Sequence, residues 1–199
     1  LRDNFNLYNF SSRNQIFLNN SASYVYDGDS VPFITNVTYS YDQFSNIIQI
    51  NNFGDVAVNG DEKYETYNYV YNTTAYVVSK PANYTLFAPD NSTIVKRSLY
   101  FYDGLTSGVI KGDLTKVRNY NNGNDPEIQY SYDSFGNVIK QTEPLGSNTT
   151  YTYDSIYNTY SIKETNQLGH TITYDYDFGT GNLLSQVRNG LNKTYTYDV

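Results

Sequence analysis

A chain of 199 residues, 39% of them hydrophobic, is long enough for one large domain or two small ones. It carries 24 Tyr but no Cys, Met or Trp, which excludes disulfides, thiolate metal sites and thiol nucleophiles and leaves tyrosine to carry much of the apolar packing. A net charge of −7, with Lys and Arg scattered singly apart from Lys96-Arg97, argues against a nucleic-acid partner, and no run of about eighteen apolar residues marks a transmembrane segment.

Along the chain, the opening Leu1-Arg2-Asp3-Asn4 lacks the charged-then-apolar pattern of a signal peptide. One unit then recurs. Tyr24-Val25-Tyr26-Asp27 is followed by Tyr39-Ser40-Tyr41-Asp42, a weaker Tyr69-Val70-Tyr71-Asn72, and Tyr100-Phe101-Tyr102-Asp103, the last three roughly 30 residues apart. Residues 80–93, with two prolines and a polar end, read as a strand between loops that joins a looser β-rich region (1–95) to tighter repeats (96–199). Beyond that boundary come Tyr130-Ser131-Tyr132-Asp133, Tyr151-Thr152-Tyr153-Asp154, Tyr174-Asp175-Tyr176-Asp177 and Tyr195-Thr196-Tyr197-Asp198, spaced by about 21 to 23 residues. The last repeat lacks its second half, so the chain reads as a fragment of a much larger protein.

Each unit is predicted to be a β-hairpin. Aromatic and Thr residues alternate along the first strand, and Asp, poor in strands and good in turns, ends it. In Asp133-Ser134-Phe135-Gly136-Asn137 the Asp carboxylate can accept backbone N–H groups while Gly136 takes positive φ without steric cost. Residues 138–142 then form the return strand, and Glu143-Pro144-Leu145-Gly146-Ser147 turns the chain into the next unit. With period-two alternation, Tyr130 and Tyr132 project to one face and Ser131 to the other, so stacked units would carry tyrosine ladders. No window has helical periodicity with a cap, and the fold class is all-β: consecutive antiparallel hairpins, each too short to bury its own face and dependent on its neighbours.

At Tyr130–Val138 and again at Leu168-Gly169-His170-Thr171-Ile172-Thr173-Tyr174-Asp175-Tyr176-Asp177, the sequence resembles the YD-repeat family, also called Rhs repeats. Tyr100–Leu105 followed by Lys111–Val117 resembles the stretch leading into the repeats of the B and C components of Tc insecticidal toxin complexes. The resemblance implies a spiral β-sheet that closes into a hollow shell. In the toxins such a shell surrounds a C-terminal effector; in teneurins a similar barrel belongs to an adhesion receptor. It therefore implies a secreted or cell-surface protein whose partners are neighbouring repeats of the same chain and an enclosed effector. The self-cleaving motif of toxin members has no counterpart in this sequence.

Chemistry is sparse. His170 is the sole histidine and has no nucleophile or second His to work with, so it reads as a turn residue and no catalytic role is assigned. One repeat Asp per 21-residue unit is too few for a calcium site, and Asp175 beside Asp177 is explained by exposure and turn capping; no metal and no cofactor are expected. The alternative function is a glycan- or receptor-binding module that uses exposed tyrosines. The two readings differ in whether Tyr132, Tyr153 and Tyr176 are packed or line an open face.

Overall fold

In the computed structural model, which describes residues 2–10, 15–121 and 123–198, every regular element is a β-strand. The strands fall into two compact units. One holds residues up to Gly112 together with Asn119–Asp125; the other holds Asp113–Arg118 and residues from Pro126 onward.

The first unit is a meander of β1 (Arg2–Phe10), β2 (Ile16–Val25), β3 (Phe33–Tyr41), β4 (Ile47–Asp55), β5 (Lys63–Asn72), β6 (Val77–Phe87) and β7 (Ile94–Tyr102). Each strand pairs antiparallel with its neighbour in the chain. Residues 80–93 do contain a strand, but β6 begins at Val77 and runs straight through Pro81. Proline cannot donate to a ladder, and the pairing accommodates it with a register shift between Asn68 and Tyr69, directly where Tyr69 faces Pro81.

The second unit repeats the design with shorter strands: β8 (Leu114–Asn119), β9 (Glu127–Tyr132), β10 (Val138–Thr142), β11 (Asn148–Tyr153), β12 (Ser161–Asn166), β13 (Thr171–Tyr176), β14 (Leu183–Arg188) and β15 (Leu191–Thr194). These too pair antiparallel in chain order. The last residue of β8 clusters with the first unit. The return strand expected at 138–142 is β10. Its turn closes through Asp133 N–H to Asn137 O at 3.0 Å and Gly136 N–H to Asp133 O at 3.3 Å. Gly136 sits at φ 88°, in the left-handed region that glycine enters freely.

The expected alternation is present in β9, β11 and β13, which share one burial pattern: both tyrosines half-buried and the residue between them exposed. Among the described residues no aliphatic core forms in either unit: the buried apolar side chains are Tyr102 (4% exposed) and Val109 (6%), and the buried polar ones are Thr85, Ser98 and Asp154. Half-burial is the general condition, so cohesion has to come from contacts between successive hairpins.

Candidate functional site

Two recurrent arrangements use the repeat residues, and each links one hairpin to its neighbour. The first begins at the phenol. Tyr41 donates to Leu18 O (2.9 Å), Tyr102 to Pro81 O (2.9 Å), Tyr132 to Leu114 O (2.8 Å), Tyr153 to Val138 O (3.1 Å) and Tyr197 to Leu183 O (2.9 Å). In each case the tyrosine immediately before the repeat Asp reaches back to a carbonyl on the return strand of the preceding hairpin. In the divergent unit the role passes to the first tyrosine: Tyr69 donates to Ile47 O (2.9 Å), and Tyr71 donates to the Asp42 carboxylate (2.6 Å).

A neutral hydrogen bond contributes a net of about 0.5–1.5 kcal/mol. Five such bonds, leaving out that of exposed Tyr197, come to roughly 2.5–7.5 kcal/mol, a sizeable share of the net stability of an ordinary domain. Burial pushes the Tyr132, Tyr153 and Tyr102 phenols up, the last to about 12, so all remain protonated donors at neutral pH. Tyr176 takes a different partner: its ring lies against Tyr160 at 5.1 Å, and Tyr174 follows at 6.4 Å.

The second arrangement is the Asp-capped turn. Asp42 accepts Phe44 N–H (2.8 Å), Asn46 N–H (2.9 Å) and the Asn46 side-chain amide (2.8 Å). Asp133 does the same with Phe135 N–H (2.9 Å), Asn137 N–H (2.9 Å) and the Asn137 amide (3.0 Å). The asparagine has a second use. Asn46 also donates to Val78 O at the start of β6, and Asn137 to Asn158 O in the β11–β12 turn, both at 2.7 Å, so one amide ties its own turn to the next hairpin along that edge.

Asp154 is the extreme case. It is 3% exposed and accepts backbone N–H groups of Ile156 (3.0 Å), Tyr157, Asn158, Thr159 (2.9 Å) and Tyr160 (2.9 Å). Burial alone would raise its pKa, but these N–H donors outweigh burial and hold the carboxyl far below the usual range. Burial and hydrogen bonding oppose each other in the same way at Asp42 and Asp133, both lowered on balance. Asp103 caps a longer loop through Ile110 N–H (2.7 Å) and Lys111 N–H (3.0 Å), and Asp177 caps Gly179 N–H (2.8 Å).

The remaining repeat residues have plainer places. Tyr39, Tyr100, Tyr130, Tyr151, Tyr174 and Tyr195 are half-buried, while Asp198 and Asp175 are exposed. Exposed His170 lies in the β12–β13 turn, its N–H bonded to Asn166 Oδ1 at 2.9 Å. Among the described residues no three His, Asp or Glu side chains converge on a point where a metal could sit. No helix there is long and apolar enough to cross a membrane. A depression of about 400 Å³ between β14 and β15 is lined by Gln186, Arg188, Leu191 and Lys193 among others, and by none of the repeat tyrosines.

This arrangement, a Tyr-to-carbonyl link and an Asp-capped turn repeated hairpin after hairpin, is that of a repeat protein. Residues 132–156 match the family model "RHS Repeat", and the chain carries an RHS (YD) repeat there. Similar solved structures include the crystal structure of TcdB2-TccC3 without its hypervariable C-terminal region, at 15% identity over 90% of this chain and 11% of that one, TM-score 0.43. Another is a Photorhabdus luminescens Tc holotoxin pore, at 15% identity over 89% and 11%, TM-score 0.44. A porin-like protein from Bacteroides uniformis also matches, at 14% identity over 96% and 85%, TM-score 0.40. No curated protein matches the chain in sequence. The chain spans 11% of the length of the first of these Tc structures.

Proposed function

We propose that the chain is a non-catalytic wall segment of a larger secreted or cell-surface YD-repeat shell, which encloses or scaffolds a toxin-like effector. The observation that carries this reading is the direction of the side-chain bonds: the phenols of Tyr41, Tyr102, Tyr132 and Tyr153 and the amides of Asn46 and Asn137 are spent on the adjacent hairpin. A wall needs that use. Its sheet must hold together without a thick core, and links that repeat once per hairpin let it extend by adding units.

The same observation weighs against a glycan-binding module built on these tyrosines. Tyr132, Tyr153 and Tyr176 are half-buried, and the first two have their hydroxyls engaged. A glycan array probed with the purified chain tests the choice, with circular dichroism alongside. The wall reading expects β-rich, glycan-blind protein. Saturable binding that disappears in a folded Tyr153→Phe variant would replace it with the binding module. Encapsulation itself is tested in the longer protein by limited proteolysis: disrupting the β11–β12 turn with Asp154→Ala should speed cleavage of the enclosed segment, and unchanged protection would refute the shell.

A further inference from the structure

The first unit contains a pair of tyrosines arranged for covalent coupling. Tyr67 and Tyr84 face each other directly across β5 and β6, with ring centroids 5.1 Å apart and planes tilted by 43°. Glu65 lies on the same face of β5, two residues before Tyr67. The Tyr67 hydroxyl donates to Glu65 Oε2 at 2.7 Å, and the charge of the same carboxylate also acts on the Tyr84 phenol, raising its pKa after burial. One carboxylate thus serves two phenols whose rings are already in contact.

From this geometry we infer that Tyr67 and Tyr84 are an oxidative modification site, where a peroxidase-class oxidant joins the two rings into an intrachain dityrosine. An oxidised phenol is a far stronger acid than a phenol, so removal of one electron from Tyr67 drives its proton along the existing hydrogen bond to Glu65. The same loss at Tyr84, after Glu65 has released that proton to solvent, places two neutral tyrosyl radicals side by side. A carbon–carbon bond forms between the ring positions next to each oxygen, and the displaced ring hydrogens return to oxygen, restoring both phenols. Two tyrosines and one hydrogen peroxide give one dityrosine and two waters: the tyrosines lose two electrons and two protons, and the peroxide is reduced. In a chain without cysteine this bond would be a covalent staple between neighbouring strands.

Both phenols are raised above their ordinary pKa, pushed up first by burial and then by Glu65, so the uncoupled pair is neutral at rest and needs a proton acceptor during oxidation. The pair Tyr160–Tyr176, at the same 5.1 Å but without a shared carboxylate, is an internal comparison.

The test treats the folded chain with a haem peroxidase and hydrogen peroxide, follows dityrosine fluorescence, and locates cross-links by peptide mass spectrometry. The expected product is an intrachain Tyr67–Tyr84 link that forms ahead of any Tyr160–Tyr176 link and is absent in Tyr67→Phe and Tyr84→Phe. Glu65→Gln should slow that link by about a hundredfold, the low end of what a positioned proton acceptor contributes. It should also remove the solvent deuterium isotope effect, which a merely structural role for Glu65 would leave in place. If the phenylalanine variants misfold, the Glu65→Gln rate and isotope effect decide the matter. Cross-linking confined to exposed tyrosines such as Tyr76 and Tyr157, or a Tyr67–Tyr84 link indifferent to Glu65→Gln, would overturn the assignment.

Discussion

Removing single phenol oxygens tests whether the hairpins are held by the Tyr-to-carbonyl links. Tyr102, Tyr153 and Tyr197 make the same bond, at 2.9, 3.1 and 2.9 Å, in three degrees of shelter. Tyr102 is 4% exposed and Tyr197 is 48% exposed, with half-buried Tyr153 between them. At Tyr197 water can replace the phenol, and Tyr197→Phe should cost close to nothing. At Tyr102 it cannot. Tyr102→Phe leaves the Pro81 carbonyl without its partner and should cost about 1–1.5 kcal/mol, the upper part of the net range for a hydrogen bond. With a urea dependence of about 2 kcal/mol per molar, that loss lowers the unfolding midpoint by roughly 0.5–0.75 M. Tyr153→Phe should fall between. Because the links join nearest neighbours, amide exchange in the Tyr102→Phe variant should quicken in β6 and β7 while the β9–β10 amides stay unchanged. Equal midpoint shifts for Tyr102→Phe and Tyr197→Phe would refute the reasoning, since shelter and not bond count sets the predicted order.

Turn geometry gives a second, paired prediction: Gly136 and Ser45 occupy corresponding positions at φ 88° and 74°, so Gly136→Ala should destabilise by about 1 kcal/mol and Ser45→Gly should stabilise by somewhat less, read from urea midpoints. Asn137 makes its two amide bonds at the edge of the β9–β10 turn, so Asn137→Leu should cost roughly 1–3 kcal/mol; Asn137→Asp should cost more, because it sets a second carboxylate against Asp133. Alkaline titration should divide the tyrosines by their absorbance change. Tyr71 and Tyr102 are held up to about 12, by burial first and then by Asp42 and Tyr100 respectively, against about 10 when unfolded. Their contribution to stability is complete below pH 10 and disappears as pH rises through 12, where the unfolded chain binds fewer protons than the folded one; a single tyrosine transition near pH 10 would contradict it. On the acid side, lowered Asp42, Asp133 and Asp154 contribute stability that is fully present above about pH 4 and is lost as pH falls through their depressed folded values, so the urea midpoint should decline on acidification below about pH 4; an unchanged midpoint would contradict it.

Local chemistry was legible in the sequence, and register was not. The Asp133–Asn137 turn, the return strand at Val138–Thr142 and the two-face alternation of Tyr130 and Tyr132 each follow from residues within a few positions of one another. The phenol links join residues 14 to 23 positions apart, and only the docking of one hairpin beside the return strand of the hairpin before it brings them together. The second bond of Asn137 hides for the same reason: its partner, Asn158 O, belongs to the next turn, 21 residues on. Signature alone also misplaces function where the ladder shifts. Tyr24-Val25-Tyr26-Asp27 looks like the other units, yet Tyr24 and Val25 end β2, an even-numbered strand, and Tyr24 packs on Phe5 at 5.3 Å. At 69–72 a bulge opposite Pro81 moves the carbonyl link to Tyr69 and frees Tyr71 to bond Asp42.

The choice of tyrosine over an aliphatic residue follows from the thinness of these sheets. A leucine on a half-buried face recovers only part of its transfer free energy, because part of its surface stays in water. A tyrosine there packs its ring and, from the same position, donates a hydrogen bond to a carbonyl one hairpin back. The bond also fixes position, since the reach of the phenol selects one carbonyl on one strand, and a register slip would turn the whole row to the wrong face. Asp at the following position completes the selection by ending the strand with a carboxylate that only a turn can satisfy, as the five backbone N–H groups around Asp154 show. Tyr-Asp is therefore a two-residue instruction in which the first residue locks the hairpin to its predecessor and the second turns the chain into its own return strand.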